Sequence, residues 1–235
     1  MFHNVPGLFI TGTDTGVGKT YVGSLIARSL VAAGYRVGVY KPAASGCHMQ
    51  NGKLVSDDAV ALWNAADRPG DFDHVCPQRF AAPLAPHLSA REESKQIDPN
   101  LLRDGIEYWR ERSEIVLVEG VGGLMSPLGE QEYVADLAEA FGYPLVIVSR
   151  NALGTINQTL QTLIAAAAFH KGLPVAGIVL NHPSLPTTDD ISLATNRNEL
   201  AVRSSCPILT EAAWGANQLE PAIDWFTLAQ RSGAK

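Results

Sequence analysis

Basic residues are scarce in this chain of 235 residues: 18 Lys and Arg stand against 24 Asp and Glu, a formal net charge of −6 at pH 7. No basic stripe can neutralise a nucleic-acid backbone, so a dedicated nucleic-acid binder is excluded, while a local phosphate site is not. Cysteine is sparse as well. Cys47, Cys76 and Cys206 are odd in number and far apart, which excludes a disulfide framework and a zinc site and reads as reduced thiols in a cytosolic protein. His3, His48, His74, His87, His170 and His182 show no metal-ligand spacing, and their order supports no Ser-His-Asp set. Long apolar runs are missing: the longest uncharged stretch, Asn151 to His170, carries Asn151, Asn157, Gln158, Gln161 and three threonines, so it reads as a buried helix and not a membrane span. The first residues lack a signal-peptide pattern, and the expected location is the cytoplasm. No repeat, low-complexity tract or Gly/Ser linker divides the chain, so one domain over 1–235 is expected, and an apolar content of 46% suffices for a large core.

Short apolar runs alternate with helical patterns from end to end, the signature of β-α-β units. Strands are expected at 7–11, 36–41, 114–119, 144–149, 175–180 and 207–209, and helices at 19–33, 57–66, 99–112, 132–141, 155–170 and 190–203. Ser56 and Asp98-Pro99 are helix starts; Gly34, Gly142 and Gly172 are stops. Runs such as Ile115-Val116-Leu117-Val118 and Leu145-Val146-Ile147-Val148 suit strands buried on both faces. The predicted fold is therefore a single-domain α/β protein with a mostly parallel central sheet flanked by helices on both faces. From Arg68 to Ser89, Pro69, Pro77, Pro83 and Pro86 break the rhythm, and a long ordered excursion is expected there. Ligands of such sheets lie beyond the carboxyl ends of the strands.

One of those ends carries a phosphate cradle. Gly12-Thr13-Asp14-Thr15-Gly16-Val17-Gly18-Lys19-Thr20 lies between the apolar run Gly7-Leu8-Phe9-Ile10 and the helical stretch Tyr21 to Ala33. Backbone N–H groups face an anion only where no side chain intrudes, and the following helix points its positive end at the same anion. Lys19 then reaches the outer phosphates and Thr20 a magnesium ion, which makes the fold P-loop NTPase-like. The first glycine of the pattern falls at Gly12, one place early, with Thr13 at the usual position. A chance glycine turn is the rival explanation, and the strand and helix on the correct sides argue against it. Glu119 ends an apolar strand and is followed by Gly120, Gly122 and Gly123, the layout by which such sheets hold magnesium or its water. Lys41 ends another strand as either a solvated cap or a second cation toward the phosphates. Ser56-Asp57-Asp58 opens a helix, where acidic residues also serve the helix dipole.

Together, the 12–20 loop, Lys41-Pro42-Ala43-Ala44-Ser45-Gly46 and Val118-Glu119-Gly120-Val121-Gly122-Gly123 resemble dethiobiotin synthetase. Ser56-Asp57-Asp58-Ala59, Phe80-Ala81-Ala82-Pro83-Leu84-Ala85-Pro86-His87 and Ala176-Gly177-Ile178-Val179-Leu180-Asn181 extend the resemblance from about residue 7 to about 215. It implies an ATP-dependent cyclo-ligase that makes dethiobiotin from 7,8-diaminononanoate and CO2 through a carbamate and a carbamic-phosphoric anhydride, with ATP, Mg2+ and a homodimer. By position it implies catalytic roles for Lys41, Lys19, Thr15 and Ser45. Thr15, Lys41 and Ser45 would meet the substrate, and Thr20, Asp58 and Glu119 the metal. Nucleotide contacts are implied at Gly16, Val17, Gly18, Lys19, Thr20, Tyr21, Asp58, Glu119, Gly120, Val121, Gly122, Asn181, His182, Ala213, Trp214, Gly215 and Glu220. Asp58 is chosen over Asp57 because Ala59-Val60-Ala61-Leu62 follows it as in the family. This chain departs from relatives in having Gly16 where some carry glutamate and His182-Pro183 after Asn181 where an aspartate follows. The family's tyrosine that reaches across the dimer has no clear counterpart around Leu193-Ala194-Thr195-Asn196.

Two other readings stand beside this one. Partitioning and positioning ATPases share the glycine loop but carry a lysine where this chain has Asp14. An anion there repels phosphate by about 4 kcal/mol at ~4 Å and an effective dielectric of ~20. The stretch from Asp224 to Lys235 is short and weakly basic for a membrane-targeting helix. A free-standing synthetase domain of an amidotransferase is the other reading; this length leaves no room for its glutaminase. No Asn-Lys-x-Asp follows strand 175–180, which favours ATP over GTP.

Overall fold

Six parallel strands form the sheet in the order β10-β9-β8-β1-β7-β2 in a computed structural model that describes residues 5–185 and 191–230. They are β1 (Gly7–Gly12), β2 (Val37–Tyr40), β7 (Ile115–Gly123), β8 (Leu145–Arg150), β9 (Val175–Asn181) and β10 (Ile208–Ala212). Between β2 and β7 lie four short strands, β3 (Ala43–Ala44), β4 (His48–Gln50), β5 (Lys53–Val55) and β6 (Gln78–Arg79); β3 pairs with β6, and β4 with β5. The helices are α1 (Lys19–Ala32), α2 (Asp57–Ala65), α3 (Pro86–Glu92), α4 (Pro99–Asp104), α5 (Glu107–Arg110), α6 (Val134–Phe141), α7 (Thr155–Ala168), α8 (Leu193–Arg203) and α9 (Trp225–Gln230). All six expected strands are present, and the apolar runs of β1, β7 and β8 are buried as a central sheet requires. From β1 the chain crosses to the edge strand β2, returns to β7 beside β1, and then runs outward through β8, β9 and β10, so the connections leaving the neighbours β1 and β8 go in opposite directions, where a sheet of this kind opens a ligand crevice.

The punctuation of the sequence is seen at atomic detail. Ser56 accepts a hydrogen bond from the Ala59 N–H and caps α2, and Asp98 accepts from Asn100 and Leu101 at the start of α4. Gly34, Gly142 and Gly172 all have positive φ where helices end.

Four expectations need correction. The helix expected at 99–112 is two short helices: Gly105 still donates to the Leu101 carbonyl, but the Leu102 carbonyl is met by the Tyr40 hydroxyl, and that hydroxyl sits so close that a Cβ at Gly105 would collide with it. The excursion at 68–89 ends in a helix, α3, with Pro86 at its first position, where proline is tolerated. The helix expected at 190–203 begins at Leu193, and residue 190 lies outside the described residues.

The helix expected at 155–170 is buried on one face only, and that face is Thr155, Thr159, Thr162 and Ala166, while Ile164 is 67% exposed. Hydroxyls account for this: Thr155 and Thr159 lie 2.6 and 2.8 Å from the Ser149 hydroxyl at the end of β8, so α7 is held to the sheet by a hydrogen-bond chain. Among the described residues no helix is long and apolar enough to cross a membrane.

β7 does more than pair. Its register with β1 runs from Gly7↔Val116 to Ile10↔Glu119, and then Gly12 pairs with Gly123. Residues 120–122 therefore lie opposite the single Thr11, and β7 bows outward where it passes the end of β1.

Candidate active site

The loop from Gly12 to Thr20 turns at the reversal point because two of its glycines take backbone conformations that other residues resist. Gly16 has φ 73° and Gly18, which caps α1, φ 95°. At Gly18 a Cβ would also overlap the Asn181 side chain at the end of β9. Asp14 accepts a hydrogen bond from the Thr15 N–H at 2.7 Å, and Lys19 donates to the Asp14 carbonyl at 3.1 Å. The Lys19 ammonium is buried, which pulls it below the ordinary lysine range against the attraction of Glu119; neighbouring Lys41 adds to the lowering.

Strand ends 78 residues apart in the chain bring Lys41 and Glu119 into a buried ion pair. The Lys41 ammonium also lies 3.0 Å from the Asp58 carboxylate in the first turn of α2, and Thr20 donates its hydroxyl to Glu119 Oε1 at 2.9 Å. Burial pulls Lys41 down, but Glu119 and Asp58 outweigh it and hold the ammonium above the ordinary lysine range. Asp58 is pushed up by burial and carried below the carboxylate range by Lys41. Burial pushes Glu119 up, with Lys41 opposing. Lys41 is therefore a fixed cation in a low-dielectric site.

Thr15, Gly16, Gly18, Lys19, Thr20, Lys41, Ala44, Ser45, Asp58, Glu119, Val121 and Gly122 surround one cavity of about 350 Å³. Asp57 is outside it, beside His48 on the surface. A larger groove of about 700 Å³ beside α3, lined by His87, Arg91 and Lys95, contains no residue of the glycine loop and none of Lys41, Asp58 and Glu119, so the chemistry is assigned to the smaller cavity. Thr20, Asp58 and Glu119 offer one hydroxyl and two carboxylates, and Glu119 Oε2 is buried without a hydrogen-bond partner. That donor set suits magnesium, which beside phosphate asks for only one or two carboxylates. Among the described residues no three His, Cys, Asp or Glu side chains group as a metal cage of their own.

Other predicted residues lie apart from this cavity. A Cβ at Gly120 would press on Val134 and Phe9, so its smallness serves the packing of α6 on the sheet. Val17 is buried, and the Asn181 amide donates to its carbonyl at 2.8 Å, leaving the Asn181 Oδ1 buried and unpartnered. Tyr21 directs its hydroxyl at the carbonyls of Ala213 and Ala216. Trp214 is largely exposed; Gly215 has φ 69°, and the Glu220 carbonyl accepts from the Thr210 hydroxyl at 2.7 Å. His182 lies between Asn151 and Glu211, in a network that Asn196 and Arg197 complete. The sequence reading missed this network, since its members are far apart in the chain and share no motif.

Residues 6–215 match the family model for an AAA domain. The chain is similar to curated proteins named ATP-dependent dethiobiotin synthetase BioD. It is 40% identical to the one from Rhodopirellula baltica over 82% of this chain and 78% of that protein. For Anaeromyxobacter sp. (strain Fw109-5) the identity is 45%, over 83% and 84%, and for Thermodesulfovibrio yellowstonii 38%, over 86% of each. Among solved structures it shares its fold with a ParA family ATPase from Chlorobium tepidum, at TM-score 0.53 and 18% identity over 88% of this chain and 84% of that one. The signal recognition particle receptor FtsY from Elizabethkingia anophelis aligns at TM-score 0.57 and 12% identity, over 97% of this chain but only 65% of the receptor.

Proposed function

The chain belongs to the dethiobiotin synthetase family, and from that premise we propose how its residues close a ureido ring. The protein is an ATP-dependent cyclo-ligase of biotin biosynthesis, acting on small molecules with ATP and Mg2+. Its substrates are 7,8-diaminononanoate and CO2, taken by one domain spanning residues 1–235. The observation that carries the residue assignment is the buried Lys41 ammonium, set between Glu119 and Asp58 in the same cavity as the phosphate loop, Thr15 and Ser45.

One substrate amine captures CO2 as a carbamate and gives up a proton. A carbamate oxygen attacks the γ-phosphorus of ATP and ADP leaves; the second amine then attacks the carbamoyl carbon, phosphate departs, the attacking nitrogen releases a proton and the ring closes. No side chain needs to become covalently bound, so the protein's work is to position groups and stabilise charge. Lys19 holds the β and γ phosphates, with the backbone of Gly16, Val17 and Gly18 around them. Lys41 faces the carbamate and the transferring phosphoryl group, and Thr15 and Ser45 orient the substrate. Thr20, Asp58 and Glu119 would hold magnesium, which would supply charge neutralisation for the phosphates. The free Asn181 Oδ1 suits an adenine amino group, and the turn at Ala213, Trp214 and Gly215 closes beside the base, with His182 and Glu220 bordering it.

The test is an ADP-release assay with ATP, the diamine and bicarbonate, each omitted in turn. ADP is expected in equal amount to dethiobiotin and only with all three present. Turnover without the diamine would instead support a switch ATPase.

We assign the protein to the cytoplasm, where its free thiols stay reduced, and we propose a homodimer. The support for the dimer is two large apolar side chains left exposed on and just before α7, Leu153 at 89% and Ile164 at 67%. By sedimentation the parent is expected to run as a dimer and the Ile164→Asp variant as a monomer; a monomeric parent would refute the assembly.

A further inference from the structure

Tyr21 occupies the first turn of α1, directly after Thr20, yet it does not line the phosphate cavity. Its ring packs against the main core, and its hydroxyl lies 2.7 Å from the Ala213 carbonyl and 2.9 Å from the Ala216 carbonyl. One hydroxyl proton is thus shared between two acceptors of a single tight turn. The turn is closed on itself by the Ala216 N–H on the Ala213 carbonyl at 3.2 Å, with Gly215 in the left-handed region. Its other anchor is the His182 N–H, which donates to the Ala212 carbonyl at 2.9 Å. A parallel tie runs from the Asn181 amide to the Val17 carbonyl at 2.8 Å. Two polar contacts therefore fix the span between the helix that receives phosphates and the wall formed by the ends of β9 and β10.

We propose that Tyr21 is a positioning residue for the nucleotide base: by holding the 213–216 turn it sets the distance between the base site and the phosphate site. This rests on the reading that the turn closes beside the base. The contact gives no help to the phosphates, which meet the glycine loop and Lys19 in any case, so its effect is confined to ligands that carry a base.

Tyr21→Phe keeps the ring in the core and removes only the hydroxyl. Calorimetric titration of the full chain with ADP and, separately, with inorganic tripolyphosphate tests the idea. ADP is expected to bind about three- to tenfold more weakly to the variant, the scale of one neutral hydrogen bond, and tripolyphosphate equally well to both proteins. In steady-state assays the loss falls on KM for ATP and not on kcat. Equal weakening of ADP and tripolyphosphate would mean that Tyr21 merely supports the glycine loop, and an unchanged ADP affinity would mean that the hydroxyl does nothing for the base; either result overturns the proposal. Failure of the parent chain to bind ADP at all would instead bring down the nucleotide reading beneath it.

Discussion

Replacing Lys41 by alanine is expected to lower turnover by about two to three orders of magnitude, the scale for loss of one charge partner of a transition state. Lys41 is 3% exposed and its ammonium is held between two carboxylates, so its charge is fixed in place and a neutral side chain there supplies none. Lys53 is the control. It is a surface lysine paired with Asp73 at 3.0 Å, and Lys53→Ala should leave turnover close to that of the parent. Steady-state ADP release from the two variants separates the possibilities, and equal rates would remove Lys41 from the mechanism.

The second large effect concerns stability. Glu119→Ala is expected to cost about 3–5 kcal/mol, the range for breaking a buried ion pair by removing one partner. At roughly 2–4 °C per kcal/mol for a chain of this size, Tm falls by roughly 6–20 °C. Lys41 would be left with Asp58 alone, whose side chain is 50% exposed. The double variant Lys41→Met with Glu119→Leu should recover most of the loss, because apolar side chains of similar volume can replace a buried pair at little cost. It should also be inactive. Thermal melts of Lys41→Met, Glu119→Leu and the double close the cycle, and a double variant as unstable as the sum of those singles would show that the two residues are not coupled and would refute the ion-pair account. The expected outcome says that the pair is kept for its charges.

Much of the frame was legible because it is local. Alternating apolar runs predicted all six strands of the sheet, and the glycine loop announced itself through residues whose positive φ is a property of their own position. Lys41, Asp58 and Glu119 could each be singled out at an element end, but their convergence on one ammonium depends on which strands are neighbours, and the order β2-β7-β1 is not written in any segment. The break at Gly105 was hidden for a like reason: it goes with Tyr40, 65 positions away, whose hydroxyl takes the Leu102 carbonyl that a continuing helix would use. The threonine face of α7 ran against the periodicity rule, which looks for leucine and isoleucine toward the core.

The bow in β7 bears on how this pocket can change. Val121 and Gly122 form part of its wall because three residues of one strand span the interval that one residue covers on the next. Depth here comes from chain length. A substitution on a regular strand trims or extends a wall by the size of a side chain, whereas the backbone of this wall stands away from the sheet by the surplus of residues it contains. Shortening that stretch would draw the wall back toward β1 and carry Glu119, pinned at the last regular pair, no distance at all. Room for the reacting molecule and the position of the carboxylate can therefore be altered separately, the first by insertion or deletion and the second only by disturbing the sheet.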